Sequence, residues 1–86
     1  MEKRSITISS IEARIASYIA DSLGIKVEQV SLETDVERYG LNSAVVVSLI
    51  GELEDWLGLE LSPSILYEFP TVRAVSKHLH AQLSSD

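Results

Sequence analysis

The chain has no cysteine, which excludes disulfides and thiolate metal sites. It has only two prolines, four glycines and 6% aromatic residues, a balance that fits neither a disordered nor a fibrous chain. Long apolar runs are missing as well. No stretch approaches the roughly 20 residues of a membrane span, and Met1-Glu2-Lys3-Arg4 is not followed by the apolar region of a signal peptide. The expected location is therefore cytoplasmic, with no membrane span. Bases are scarce too: seven Lys and Arg stand against 13 Asp and Glu, a formal net charge of -6. A phosphate-binding surface needs clustered Lys and Arg, so the charge argues against nucleic acid and counters a small helix-turn-helix DNA binder.

What is present is an apolar pattern of helical period. Hydrophobic residues make up 45% of 86 residues, enough for one small domain that buries about 60 to 65% of its unfolded surface. The domain is expected to span 1–86, with a core over about 8–83 and frayed ends. Ser9 and Glu12 form a capping-box pattern that opens a helix from about Ser10 to Leu23, with Ile11, Ile15, Tyr18, Ile19 and Leu23 on one side and Gly24 as its stop. Residues 24–41 show no clear helical period. Apolar anchors from Ile25 to Leu41 let this long loop lie over the helices, with a short helical turn near Val27 to Val30 or Thr34 to Arg38.

Asn42 then caps a second helix, Ser43 to about Leu57, stopped by Gly58. Its apolar arc is Val46, Leu49, Ile50, Leu53, Trp56 and Leu57, which leaves Ser43 at the edge of the exposed face. Gly51 lies outside the arc and costs about 1 kcal/mol relative to alanine in a helix interior. Ser62 and Pro63 signal a short helix that ends before Pro70. Thr71 caps a last helix through about Leu83, with Val72, Val75, Leu79 and Leu83 as its stripe. The fold class is all-α: a four-helix bundle of three long helices and one short one, with a long structured loop between the first and second. A monomer is expected.

The chain offers little catalytic equipment. A nucleophilic serine normally needs a histidine within hydrogen-bond reach, whereas His78 and His80 sit two apart on the last helix and project about 160° from each other. They cannot share one metal, and Glu54 and Asp55 are neighbours on a solvated face. Ser43 can nevertheless be useful without a base of its own, if a separate transferase supplies the base and metal and only a fixed, exposed hydroxyl is required. The free N–H groups and positive dipole end of a helix favour an anion attached there. The acidity also gathers around Ser43: Glu28 to Glu68 holds nine acids and one base, net -8, and the remainder four acids and six bases, net +2.

Residue order adds a resemblance. Carrier domains of polyketide synthases typically read Gly-[Phe/Leu]-Asp-Ser-Leu, then an apolar-acidic helix ending in Leu-Gly. A Leu-x-x-[Thr/Ser] segment and a Phe-x-x-Pro-Thr-[Val/Ile] step follow, into a final helix ending in His-Leu. Here the runs are Gly40-Leu41-Asn42-Ser43, Leu53 to Ser62 with Leu57-Gly58 inside it, Tyr67-Glu68-Phe69-Pro70-Thr71-Val72, and His78-Leu79. Over nearly its whole length the chain resembles the acyl carrier protein family, more closely the free-standing polyketide and nonribosomal type than the fatty-acid type. The resemblance implies a non-enzymatic carrier for polyketide, other secondary-metabolite or related lipid synthesis. Acyl groups would be held as thioesters on a covalent 4'-phosphopantetheine arm that coenzyme A supplies to Ser43.

The attachment triplet departs from the family. Asn-Ser-Ala stands for Asp-Ser-Leu: Asn42 keeps the cap but drops a charge, and Ala44 lacks the leucine's apolar anchor, a contact worth about 1 to 2 kcal/mol. Val45 and Val47 can take over part of it. The expected loading enzyme is thus a broad-specificity phosphopantetheinyl transferase. The expected recognition surface is Asn42, Ala44 and Val47 with the acids Glu37, Glu52, Glu54 and Asp55, which would also meet basic docking surfaces of acyl-loading and synthase enzymes. An unmodified carrier-like scaffold or regulatory module is the alternative.

Overall fold

A computed structural model describes residues 6–84. It contains four α-helices: α1 (Ile8–Leu23), α2 (Ser43–Leu57), α3 (Ile65–Glu68) and α4 (Val72–Ser84). Three are long and one is a single short turn, which is the four-helix bundle that the apolar periodicity implies. The expectation of frayed ends falls outside this range at residues 1–5 and 85–86; within it, Ile6 is buried in the core, Thr7 caps α1 and Ser84 is the last residue of α4.

The core follows the helical stripes. Ile11, Ile15 and Ile19 of α1, Leu49, Leu53 and Leu57 of α2, and Val72, Val75 and Leu79 of α4 are buried, and Ile65 of α3 joins them. Tyr18, Leu23 and Leu83 pack against this cluster only partly buried. The α1 and α4 helices make the main helix-to-helix contact. Gly24 and Gly58 close α1 and α2 in the left-handed conformation.

Two helix starts differ in detail from the sequence pattern. The first helix begins two residues earlier than the Ser9 and Glu12 pattern implies, because Thr7 is the cap: its Oγ1 accepts from Ser10 N at 3.1 Å while Ser10 Oγ accepts from Thr7 N at 2.9 Å. Glu12 is thereby released to bind Arg73. The short helix begins later than Pro63. Ser62 Oγ accepts from Ser64 N at 3.2 Å and its carbonyl accepts from Ile65 N at 3.0 Å, so residues 62–64 form a turn ahead of Ile65.

The long loop holds two 3₁₀ turns, Val27–Gln29 and Val36–Tyr39, with Val30 and Val36 buried beneath it. It is tied down by the start of α4. Val36 N donates to Pro70 O at 2.7 Å and Arg73 N to Leu32 O at 3.0 Å. The Arg73 side chain pairs with Glu12 of α1 and Glu33 of the loop, and the Tyr39 hydroxyl bonds both the N–H and the carbonyl of Ser31. The result is a fixed lid that delivers the chain to Gly40.

Candidate functional site

Gly40 makes the bend into the site. Its φ of 69° is left-handed, where a side chain would be strained, and its N–H closes the preceding turn onto Glu37 O at 3.1 Å. Leu41 tucks partly into the core. Asn42 then caps α2 as its sequence position implies: Oδ1 accepts from Val45 N at 2.9 Å and its carbonyl from Val46 N at 3.2 Å. The first N–H groups of a helix have no partner inside it, so those of Ser43 and Ala44 are directed at whatever lies beyond the helix end. Ser43 is the first residue of α2 and is exposed.

Beside Ser43 lies a cleft of ≈ 470 Å³. The helix side is formed by Ser43, Val46 and Val47. Asp35, Val36 and Glu37 line the loop side, and Leu66 and Tyr67 of α3 the far wall. The cleft is mainly apolar, with its two carboxylates on the loop side.

The residues expected to recognise partners fall into separate places. Asn42, Ala44 and Val47 stay around Ser43, all exposed, and Glu37 lines the cleft. Glu52 turns toward α1, where it pairs with Arg14 at 3.6 Å; the Arg14 guanidinium lies 4.2 Å from the centre of the Trp56 ring. Glu54 is half-buried and serves the fold, its Oε2 accepting from Leu61 N at 2.8 Å. Asp55 is exposed further along α2. Glu52 and Glu54 thus work on opposite flanks of the helix, about 160° apart at 100° per residue.

No group of three or more His, Cys, Asp or Glu that could hold a metal occurs among the described residues. His78 stacks on Phe69, with ring centres 4.0 Å apart, and its Nε2 lies 3.1 Å from Gln82 Nε2. That histidine joins α4 to the end of α3.

Known proteins with this arrangement decide what it is. The phosphopantetheine attachment site family matches residues 13–79. The chain belongs to this family. Its members are carriers, not enzymes, and hold 4'-phosphopantetheine covalently. The acyl carrier protein TtuC of Teredinibacter turnerae is 28% identical over 78 residues, 91% of this chain and 90% of that protein. The polyketide synthase PksR of Bacillus subtilis is 29% identical over 76 residues, which span 84% of this chain and 3% of the synthase.

Solved carrier structures superpose on the bundle. A free-standing peptidyl carrier protein from a secondary metabolic pathway of Acinetobacter baumannii is 32% identical, with a TM-score of 0.82 over 88% of this chain and 95% of that one. The acyl carrier protein Asl1650 from Anabaena sp. PCC 7120, which has a variant phosphopantetheinylation-site sequence, is 28% identical with a TM-score of 0.82, covering 90% of this chain and 88% of that one.

Two features of this carrier site have no signature in the residue pattern. Tyr67, in a turn of helix too short to show a period, is 83% exposed at the cleft. Arg73 anchors the loop through partners 61 and 40 residues away, which no local pattern announces.

Proposed function

We propose that Ser43 is the attachment point of the 4'-phosphopantetheine arm, in a carrier domain spanning 1–86. The observation that carries this is an exposed hydroxyl at the start of α2, bordering a ≈ 470 Å³ cleft with apolar walls. The site fits the group at both ends. Unpaired amides at the helix start suit a phosphodiester, and the cleft offers room for the arm beside it. Asn42, unlike aspartate, sets no negative charge next to that phosphodiester.

The loading step needs only the hydroxyl from this chain. Ser43 Oγ attacks the phosphorus of coenzyme A that bears the pantetheine. The new O–P bond forms as the bond to 3',5'-ADP breaks, and the serine proton passes to a base of the transferase. The arm supplies a thiol on which acyl groups ride as thioesters. Similarity to TtuC, to the PksR carrier segment and to the Acinetobacter protein supports service in polyketide or related secondary-metabolite synthesis in the cytoplasm. The partners are a broad-specificity phosphopantetheinyl transferase and the acyl-loading and synthase enzymes of that pathway.

Incubation with coenzyme A and each type of transferase, followed by intact mass measurement, tests the assignment. A gain of one phosphopantetheine by the native chain, absent in Ser43→Ala, is expected. No gain with any transferase would support the unmodified scaffold instead, and a gain that persists in the variant would assign the arm to a residue other than Ser43.

A further inference from the structure

The cleft beside Ser43 carries its charge on one side only. Val46 and Val47 of α2 and Leu66 and Tyr67 of α3 give it apolar walls, while the loop side presents Asp35 and Glu37. No base lines it, and neither carboxylate pairs with another described residue. The backbone between the two acids is pinned by the bond from Val36 N to Pro70 O at 2.7 Å and by the bridge from Asp35 to Thr71, so the charge keeps its place. Apolar walls opposite unpaired carboxylates match a short hydrocarbon segment that ends in a protonated amine. They match a neutral acyl group less well, and they repel one that ends in a carboxylate.

Position makes even a weak match count. Ser43 itself lines the cleft, so whatever is borne on an arm at Ser43 is tethered beside it. A short flexible tether gives an effective concentration of about millimolar, at which a contact with a Kd of about 1 mM is half occupied. The volume of ≈ 470 Å³ falls within the roughly 300 to 1,000 Å³ of small-molecule sites. It suits an arm folded back with a short cargo at its end.

We propose that the cleft selects the cargo: it holds the end of the arm when the thioester bears a short, amine-containing acyl group of the aminoacyl kind. Asp35 and Glu37 face the ammonium, and Val47 and Tyr67 cover the hydrocarbon part. The proposal rests on attachment at Ser43. An enzyme that docks on the same rim draws the arm out, so occupancy of the cleft and docking alternate.

The test loads the chain from the matching coenzyme A thioesters with β-alanyl, butyryl or malonyl arms, short acyl groups that carry a positive, no or a negative charge. Exchange of each thioester with a small neutral thiol is followed by intact mass, relative to the same acyl group on free pantetheine. The β-alanyl carrier should exchange about threefold more slowly than the butyryl carrier, and the malonyl carrier should show no protection. Amide NMR shifts that distinguish the β-alanyl from the butyryl form should centre on Asp35, Glu37, Val47 and Tyr67. The amine-specific delay should vanish in the Asp35→Asn, Glu37→Gln double variant, with circular dichroism confirming its fold, and in about 1 M salt, where charges are screened within roughly 3 Å. Equal relative exchange of all three arms, whether slowed or not, would overturn the proposal, and so would a delay that survives in the double variant. Either outcome leaves attachment at Ser43 standing, whereas a native chain that never gains mass removes both.

Discussion

The starts of α2 and α4 are capped by the same device and embedded in opposite ways. At α4, Thr71 Oγ1 accepts from Ala74 N at 3.0 Å and its carbonyl from Val75 N at 3.0 Å; at α2, Asn42 does the same for Val45 and Val46. Around Thr71 the fold closes in. Val72 is fully buried, an isolated β-bridge joins Thr71 to Asp35, and the backbone bonds of Pro70 and Arg73 fasten the loop. Around Asn42 nothing closes in, and Asn42, Ser43 and Ala44 are all exposed. A cap signal therefore says where a helix begins, while its surroundings say whether that start organises the fold or is offered to partners.

Replacing the hydroxyl at the open start gives the largest expected effect. Ser43→Ala should abolish mass gain with coenzyme A, yet shift the unfolding free energy by no more than about 0.5 kcal/mol, since an exposed side chain is lost. Thermal melts and intact mass on the same sample check both halves. Exchanging the caps separates the regions further. Thr71→Ala and Asn42→Ala should each cost about 1 kcal/mol, a fall in Tm of roughly 4 to 8 °C for a chain of this size. Loading should survive the first and slow in the second. A Thr71 variant that loads slowly at a temperature where it is fully folded would break the comparison.

Arg73→Ala probes the closed region from the side. The guanidinium pairs with Glu12 and Glu33, but its side chain is 42% exposed, so solvent screening limits the loss to about 1 kcal/mol. The deficit should shrink as salt rises in denaturant titrations. Loading at Ser43 should be untouched.

The two regions were also unequally legible. Cap, helix and stop from Asn42 to Gly58 follow from local rules, because each of those interactions spans only a few residues. Thr71 and the stripe of α4 were readable for the same reason. The start of α1 escapes the local rule because Ser9 and Glu12 match the Ser/Thr-x-x-Glu/Gln form of the capping box, whereas the box that forms joins Thr7 to Ser10, with a hydroxyl in place of the carboxylate. The loop's anchors in Pro70 and Arg73 were invisible, since they join residues more than thirty apart. Glu54 reads as one more surface acid until the chain after Gly58 folds back and places Leu61 N beside it. Ser76, fully buried with no hydrogen-bond partner for its Oγ among the described residues, breaks no visible pattern at all.

Gly51 measures how far the open region extends along α2. It lies in the middle of the helix, and a Cβ built there would meet nothing within 4 Å. No packing within the chain therefore requires a glycine. At 100° per residue it falls on the same face as Ala44 and Ser48, both exposed. Gly51→Ala should raise stability by roughly 0.5 to 1 kcal/mol through backbone entropy alone, visible as a higher denaturation midpoint with an unchanged slope. The loading rate then separates two cases. If the stabilised variant loads like the native chain, the surface used by the transferase ends within the first turns of α2 and the glycine is a tolerated defect. If loading slows although the fold has gained stability, a methyl group is too much at that point, and the open surface continues two turns beyond Ser43.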